Sequence, residues 1–305
     1  MNLLPAPLLM VAATFLFATM GVCVKLASEF YDASEIVMYR GCVGVLMMAI
    51  VCFTRGQTLR TQVPAMHFWR SLSGVIALSL WFYAIGKLPL ATAMTLNYMS
   101  SVWMALFLIG GAVMLGAARI DWRLIASVLL GFAGVALVLR PTLDQQQLWH
   151  GLAGLLSGML SAMAYLQVTA LGRAGEPEDR VVFYFSVGGV TAGVLSTAAL
   201  ALTGSNQPHG HTFKGAALLL AVGLLATTAQ LLMTRAYGRG TTLVNACLQY
   251  LGIVFSVGYG ALLFRDPITP MALGGIALII TAGLAATLLR ATVTPKDSQH
   301  SINES

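Results

Sequence analysis

The residues of this sequence best able to bind or react stand inside long apolar stretches. KLPLATAMTLNYMSSVW (Lys87–Trp103) and RGTTLVNACLQYLGIVF (Arg239–Phe255) follow one plan at an offset of 152 residues. Each opens on a cation, passes through small residues and threonines, and reaches an amide–tyrosine pair: Asn97-Tyr98 in the first, Gln249-Tyr250 in the second. A carboxamide offers two donors and an acceptor, and a tyrosine adds a hydroxyl on an aromatic body. Two such pairs could hydrogen-bond a small polar solute.

Other polar residues recur at helical spacing. Asn245, Gln249, Gly252, Ser256 and Tyr259 form one stripe, as do Thr227, Gln230, Thr234 and Tyr237, and also Ser157, Ser161, Tyr165 and Thr169. Thr14, Ala18, Gly21 and Lys25 form a fourth. Lipid satisfies no hydrogen bond, so these faces must meet other helices or a wet cavity. For Asn97, Tyr98, Gln249, Tyr250, Gln230 and Asn245 two roles stay open, cavity lining and cross-helix bonding. Trp81 and Tyr165 could stack on a planar ligand or serve aromatic packing. Gly154/Gly158 and Gly189/Gly193 have the GxxxG spacing of close helix packing.

Charge inside a membrane is costly and is usually paired or functional. Lys25 lies about one turn from a span end and is expected to snorkel outward, toward Glu29 or Glu35. Arg40 lies about seven residues into a span, where a structural partner or an anionic substrate group would account for it. Glu35, Asp121 and Asp266 stand near span ends, so no span carries a central carboxylate. That favours facilitated diffusion or exchange over a proton relay. No G-x-x-x-x-G-K-[ST] phosphate loop occurs, so neither direct ATP drive nor an ATPase subunit is implied. His209 and His211 are too few for a metal centre and read as a solvated loop. No catalytic residues, metal ligands or cofactors are expected.

The elements that must position these residues follow from composition. Of 305 residues, 58% are hydrophobic and 9% charged, against roughly 25% charged in soluble domains. The chain is therefore expected to be an all-α, multi-pass membrane protein. Its net charge of +6 comes from scattered single cations, which fits loop topology and not nucleic-acid binding. The four cysteines lie in apolar segments without CxxC spacing and predict neither a disulfide framework nor a zinc site. The N-terminus lacks a cationic leader region and reads as a retained first helix.

Ten apolar spans are predicted, at 6–26, 33–53, 65–86, 90–115, 122–139, 150–171, 181–202, 213–237, 241–264 and 269–290. With the N-terminus inside, eleven cations fall on the inner side (Arg70 among them) and five on the outer, Arg40 lying within a span. Both termini are then cytoplasmic. Residues 1–140 and 141–290 each hold five spans, and 291–305 form a polar cytoplasmic tail. An odd count per half inverts the second half relative to the first, the plan of many secondary transporters. Asn97 and Gln249 would each lie about 12 Å inside from opposite faces, near the midplane of a core about 30 Å thick.

FATMGVCVKLAS, MYRGCVG, YAIGKLPLATAMTLNYMSSVW and FRDPITPMALGGIALIITAGL resemble the EamA family of the drug/metabolite transporter superfamily. The resemblance runs from about residue 7 to 290. It implies ten transmembrane helices in two inverted five-helix repeats around a central cavity, with both termini cytoplasmic. Relatives move amino acids, nucleobases, sugars, adenosyl metabolites or amino-acid-derived metallophores, and many are exporters. One feature departs from the family: Asp266 has no acidic counterpart at Ala117-Ala118.

The expected function is secondary transport of a small polar metabolite, an amino acid or a derivative such as a metallophore. Transport would be outward across the inner membrane by alternating access, in a monomer or dimer embedded in lipid. The alternative is an uptake carrier or exchanger for a nucleoside-, adenosyl- or sugar-type metabolite. A membrane-embedded enzyme would need acids and histidines clustered at a membrane face, and no such cluster is expected.

Overall fold

The computed structural model describes residues 4–56, 58–114, 122–139, 148–202, 212–265 and 270–291. The expected boundary at 140/141, the tail from 292, Asp121, Asp266 and the His209–His211 loop lie outside the described residues. All described elements are helices: α1 (Ala6–Ala27), α2 (Ala33–Thr54), α3 (Pro64–Lys87), α4 (Leu90–Tyr98), α5 (Ser100–Met114) and α6 (Trp122–Leu139). The second half continues with α7 (Leu148–Arg173), α8 (Glu178–Leu202), α9 (Phe213–Arg239), α10 (Thr242–Leu248), α11 (Leu251–Leu263) and α12 (Pro270–Ala291).

Local chemistry sets several helix starts. Prolines open α1, α3 and α12, where a missing N–H costs nothing. The Asp32 N–H donates to Glu35 Oε2 (3.0 Å) at the start of α2, and Thr212 Oγ1 accepts from the Gly215 N–H (3.1 Å) at α9. Seven described stretches are long and apolar enough to cross a membrane, and α4–α5, α6 and α12 supply the other three expected spans. Trp69, Trp122, Trp149 and Phe213 are exposed near helix starts, the positions of an interfacial aromatic belt.

The fourth and ninth spans, expected to be continuous, are each interrupted at the matched motif. Met99 separates α4 from α5, and Gln249 and Tyr250 separate α10 from α11. All three keep right-handed helical dihedrals. The ladder nevertheless tightens: the Tyr250, Gly252 and Ile253 N–H groups donate to carbonyls three residues back, as does that of Val102. Short 3₁₀ pitch therefore interrupts both spans, with neither proline nor positive-φ glycine responsible.

Packing obeys a two-fold exchange between the halves. Span one packs on span eight (α1 on α9), and span three on span six (α3 on α7). The second and seventh spans pack on each other (α2 on α8), as do the fifth and tenth (α6 on α12). Every extensive pairing thus maps onto itself or onto its counterpart when the halves are swapped. Close approach depends on glycine. A Cβ at Gly158 would stand 2.5 Å from the Leu96 carbonyl oxygen, and one at Gly193 2.6 Å from Met38 Cβ. The GxxxG spacings accordingly serve helix contact.

Candidate functional site

A cavity lies between helices of both halves. From α3 it takes Arg70, Gly74, Leu78 and Trp81, one helical face. From α2 it takes Arg40, from α4 Asn97, and from α1 Phe17. The second half contributes Ser161, Ala164 and Tyr165 of α7, Phe185 of α8 and Gln230 of α9. Among the described residues, no carboxylate stands in this wall.

Arg70 corrects the sequence reading, which counted it among the inner-loop cations. It lies in the second turn of α3, is 2% exposed, and faces the cavity. Without it ten cations remain on the expected inner side against five on the outer. Arg70 Cζ stands 4.2 Å from the centroid of the Phe185 ring, and Arg40 Cζ 5.0 Å from the same centroid. The two guanidinium carbons are therefore no more than about 9 Å apart. At an effective dielectric near 20, unit charges at that separation repel by roughly 2 kcal/mol. The Phe185 face offsets part of this through cation–π attraction.

Among the described residues, the polar atoms of the cavity wall left without partners have one character. They are Nε and Nη1 of Arg40, Nε and Nη1 of Arg70, Nε1 of Trp81 and Nε2 of Gln230. All are N–H donors. Buried donors normally find an acceptor, and leaving one unmet costs about 1–3 kcal/mol.

The matched pairs divide. Asn97 lines the cavity and also bonds across helices, its Nδ2 donating to Ser157 Oγ (3.0 Å) and Ser161 Oγ (3.2 Å). Gln249 stands outside the cavity wall. Its Nε2 donates weakly to Met233 Sδ (3.8 Å), and its side chain hydrogen-bonds the cavity-lining Tyr165. Tyr98 packs its hydroxyl end onto Gly252, where a Cβ would stand 2.3 Å from the oxygen. Tyr250 lies against Gly131 in the same manner, 2.9 Å from a Cβ there. Neither tyrosine borders the cavity: glycines on neighbouring helices leave room for the rings to serve packing.

Asn245 also stands outside the wall, its Nδ2 donating to the Ala236 carbonyl (2.6 Å) and closing the end of α9. The Lys25 ammonium donates to the Ile85 (3.2 Å) and Leu88 carbonyls at the end of α3. It caps a helix there, because helix ends leave carbonyls unmet. Tyr165 lines the cavity and stacks on Tyr237, centroids 5.4 Å apart at 18°. Trp81 lines it too, its ring edge-to-face with Phe17 at 6.4 Å.

A second polar assembly lies away from the cavity. Arg55 Nη1 donates to Asp179 Oδ2 (2.7 Å). Glu176 accepts from Thr61 (3.0 Å) and from Arg180 Nη1 (3.0 Å), and lies 3.1 Å from His67 Nε2. Arg239 and Arg235 reach Glu178 at 3.1 and 3.7 Å. The Tyr184 hydroxyl donates to the Leu59 carbonyl (3.0 Å), and Arg180 donates to that of Thr58. These bonds join the α2–α3 connection of the first half to the α7–α8 turn and the end of α9 in the second. They lie at the end of the bundle where α1 starts, since Gly240 sits beside Ala6. Burial alone would raise the Glu176 carboxyl; the hydrogen bonds from His67, Arg180 and Thr61 outweigh it and hold the group below its ordinary range.

Comparison with known proteins agrees with this architecture. The EamA-like transporter family model matches residues 4–140. The chain is 31% identical to the pseudopaline exporter CntI of Pseudomonas aeruginosa (strain UCBPP-PA14), over 91% of this chain and 94% of that one. It is 24% identical to an uncharacterized transporter of Helicobacter pylori (strain J99), over 90% and 92% of the two chains. A S-adenosylmethionine uptake transporter of Rickettsia bellii is 21% identical over 79% and 78%. One solved structure, titled only as the crystal structure of a protein, superposes with a TM-score of 0.74 at 18% identity, covering 95% and 99%.

Proposed function

The chain belongs to the EamA family of the drug/metabolite transporter superfamily, and from that premise we propose that it exports a small polar metabolite by alternating access through the central cavity. The observation that carries the reading is the cavity itself, walled by both halves and lined with buried donors that the protein leaves unmet. Wall groups without protein partners suit a solute that arrives and departs. The solute class we favour is an amino acid or an amino-acid-derived compound, metallophores included. The 31% identity to an exporter of pseudopaline supports both the class and the direction.

Movement follows from the two-fold arrangement. A site shared by two inverted halves opens to each face in turn as one bundle rocks against the other. The bonds between Arg55, Thr61 or His67 and the α7–α8 turn close the face bearing the N-terminus, and the cation distribution supports a cytoplasmic assignment for that face. They must part for a solute to enter from that side. The 3₁₀ breaks at Met99 and at Gln249-Tyr250 supply flexure at similar depths in both halves.

The test is to compare metabolites inside and outside cells that carry or lack the chain. Export predicts a solute enriched outside only when the chain is present. Enrichment inside would favour the uptake reading suggested by the Rickettsia relative. Identical profiles in every growth condition would contradict transport.

A further inference from the structure

We infer that the cavity solute carries at least two oxyanion groups, one seated at Arg40 and one at Arg70. This rests on the transport reading of the same cavity and names its substrate class.

Two guanidinium groups share one aromatic ring in a wall that, among the described residues, contains no carboxylate. Arg40 is 3% and Arg70 2% exposed, and each keeps two N–H donors unmet. A buried arginine held for structure alone normally gains a carboxylate or carbonyl partner. Here the Phe185 ring supports both cations, while Nε and Nη1 of each have no partner among the described residues; such donors suit the oxygens of a carboxylate or phosphate. Arg70 is seated by a local device: Nη1 would stand 2.0 Å from a Cβ at Gly74, so the guanidinium folds across a bare glycine. The two unmet donors on Trp81 and Gln230 extend the same preference for acceptors.

Charge decides the multiplicity. A solute with one negative group would leave a net positive charge buried in the membrane interior, whereas two such groups balance both arginines. A separation of no more than about 9 Å between guanidinium carbons limits the solute to compact skeletons. Amines and other purely cationic compounds find no acceptor charge in this wall.

The test is titration of the purified full-length chain, in neutral detergent, with citrate, pyrophosphate and agmatine, followed by calorimetry and thermal melting. Citrate or pyrophosphate should bind and raise the melting temperature, and agmatine should do neither. The preferred anion tells carboxylate from phosphate recognition. Arg40→Gln and Arg70→Gln should each weaken anion binding at least tenfold. Each should melt no earlier than the parent without ligand, because one of two repelling charges is gone; a purely structural arginine would show the reverse. Phe185→Leu, which keeps both charges but removes their common platform, should also weaken binding, and serves if the glutamine variants fail to fold. Binding of neither anion above the level of agmatine, or anion binding unchanged in these variants, overturns the proposal. Anion binding through the arginines with no metabolite moved in cells would sink the transport reading instead.

Discussion

The guanidinium of Arg70 lies across the bare face of Gly74, one helical turn farther along α3, with Nη1 2.0 Å from where a Cβ would stand. An alanine there would also meet Phe185 Cε2 at 3.0 Å. The flexible arginine tip would yield before the backbone, so Gly74→Ala should displace the charge without unfolding the bundle. Transport is expected to fall roughly tenfold, the equivalent of about 1.4 kcal/mol. Folded yield and melting temperature, measured on the same preparation, should stay near the parent's.

The matched amides should respond differently to removal. Asn97→Ala loses two bonds to α7 and should be destabilised by roughly 0.5–2 kcal/mol. Gln249→Met loses only a weak 3.8 Å bond to Met233 and a contact with Tyr165, so it should be destabilised less than Asn97→Ala. Thermal melts of both variants in one detergent decide this. Equal losses would show that the pairs act symmetrically after all.

Acid should weaken the bonds around Glu176. Its carboxyl titrates below its unfolded value, so its contribution is full above about pH 4.3. That contribution is lost as pH falls through the lower folded value. Glu176→Gln should therefore melt earlier than the parent at neutral pH, and the difference should close on acidification. A gap that widens toward acid would reverse the assignment.

Orientation is testable at the connection between α8 and α9. A cysteine replacing Ser205 should react with an impermeant thiol reagent in intact cells, after the outer barrier is opened where one exists. Reaction only after lysis would place both termini outside.

Much of the architecture could be read from the chain because length and apolarity alone define a span. The 152-residue echo likewise announced the inversion. Three features escaped. The breaks at Met99 and Gln249-Tyr250 keep helical dihedrals and need no proline or positive-φ glycine, so composition carries no mark of them. Arg70 stands five residues inside the span predicted from 65, close enough to its end to pass for a loop cation. A glycine four residues on, beside an in-span arginine, was the available signal. The assembly at the α7–α8 turn joins residues more than a hundred positions apart, such as Arg55 and Asp179, and no local spacing encodes such pairing. Asn97, Gln230, Trp81, Tyr165 and Arg40 were all named in advance and line the cavity. Tyr98, Tyr250 and Asn245 share the same motifs but meet glycines or a helix end, and Gln249 reaches the cavity only through Tyr165, because a polar stripe alone does not tell a cavity from a neighbouring helix.

The most direct test of the central claim is efflux of the identified metabolite from proteoliposomes holding the parent chain or Arg70→Gln at equal folded density. Parent vesicles should release the trapped solute down its gradient without ATP, and the variant should release it at least ten times more slowly. Equal rates in the two preparations would contradict passage through this cavity.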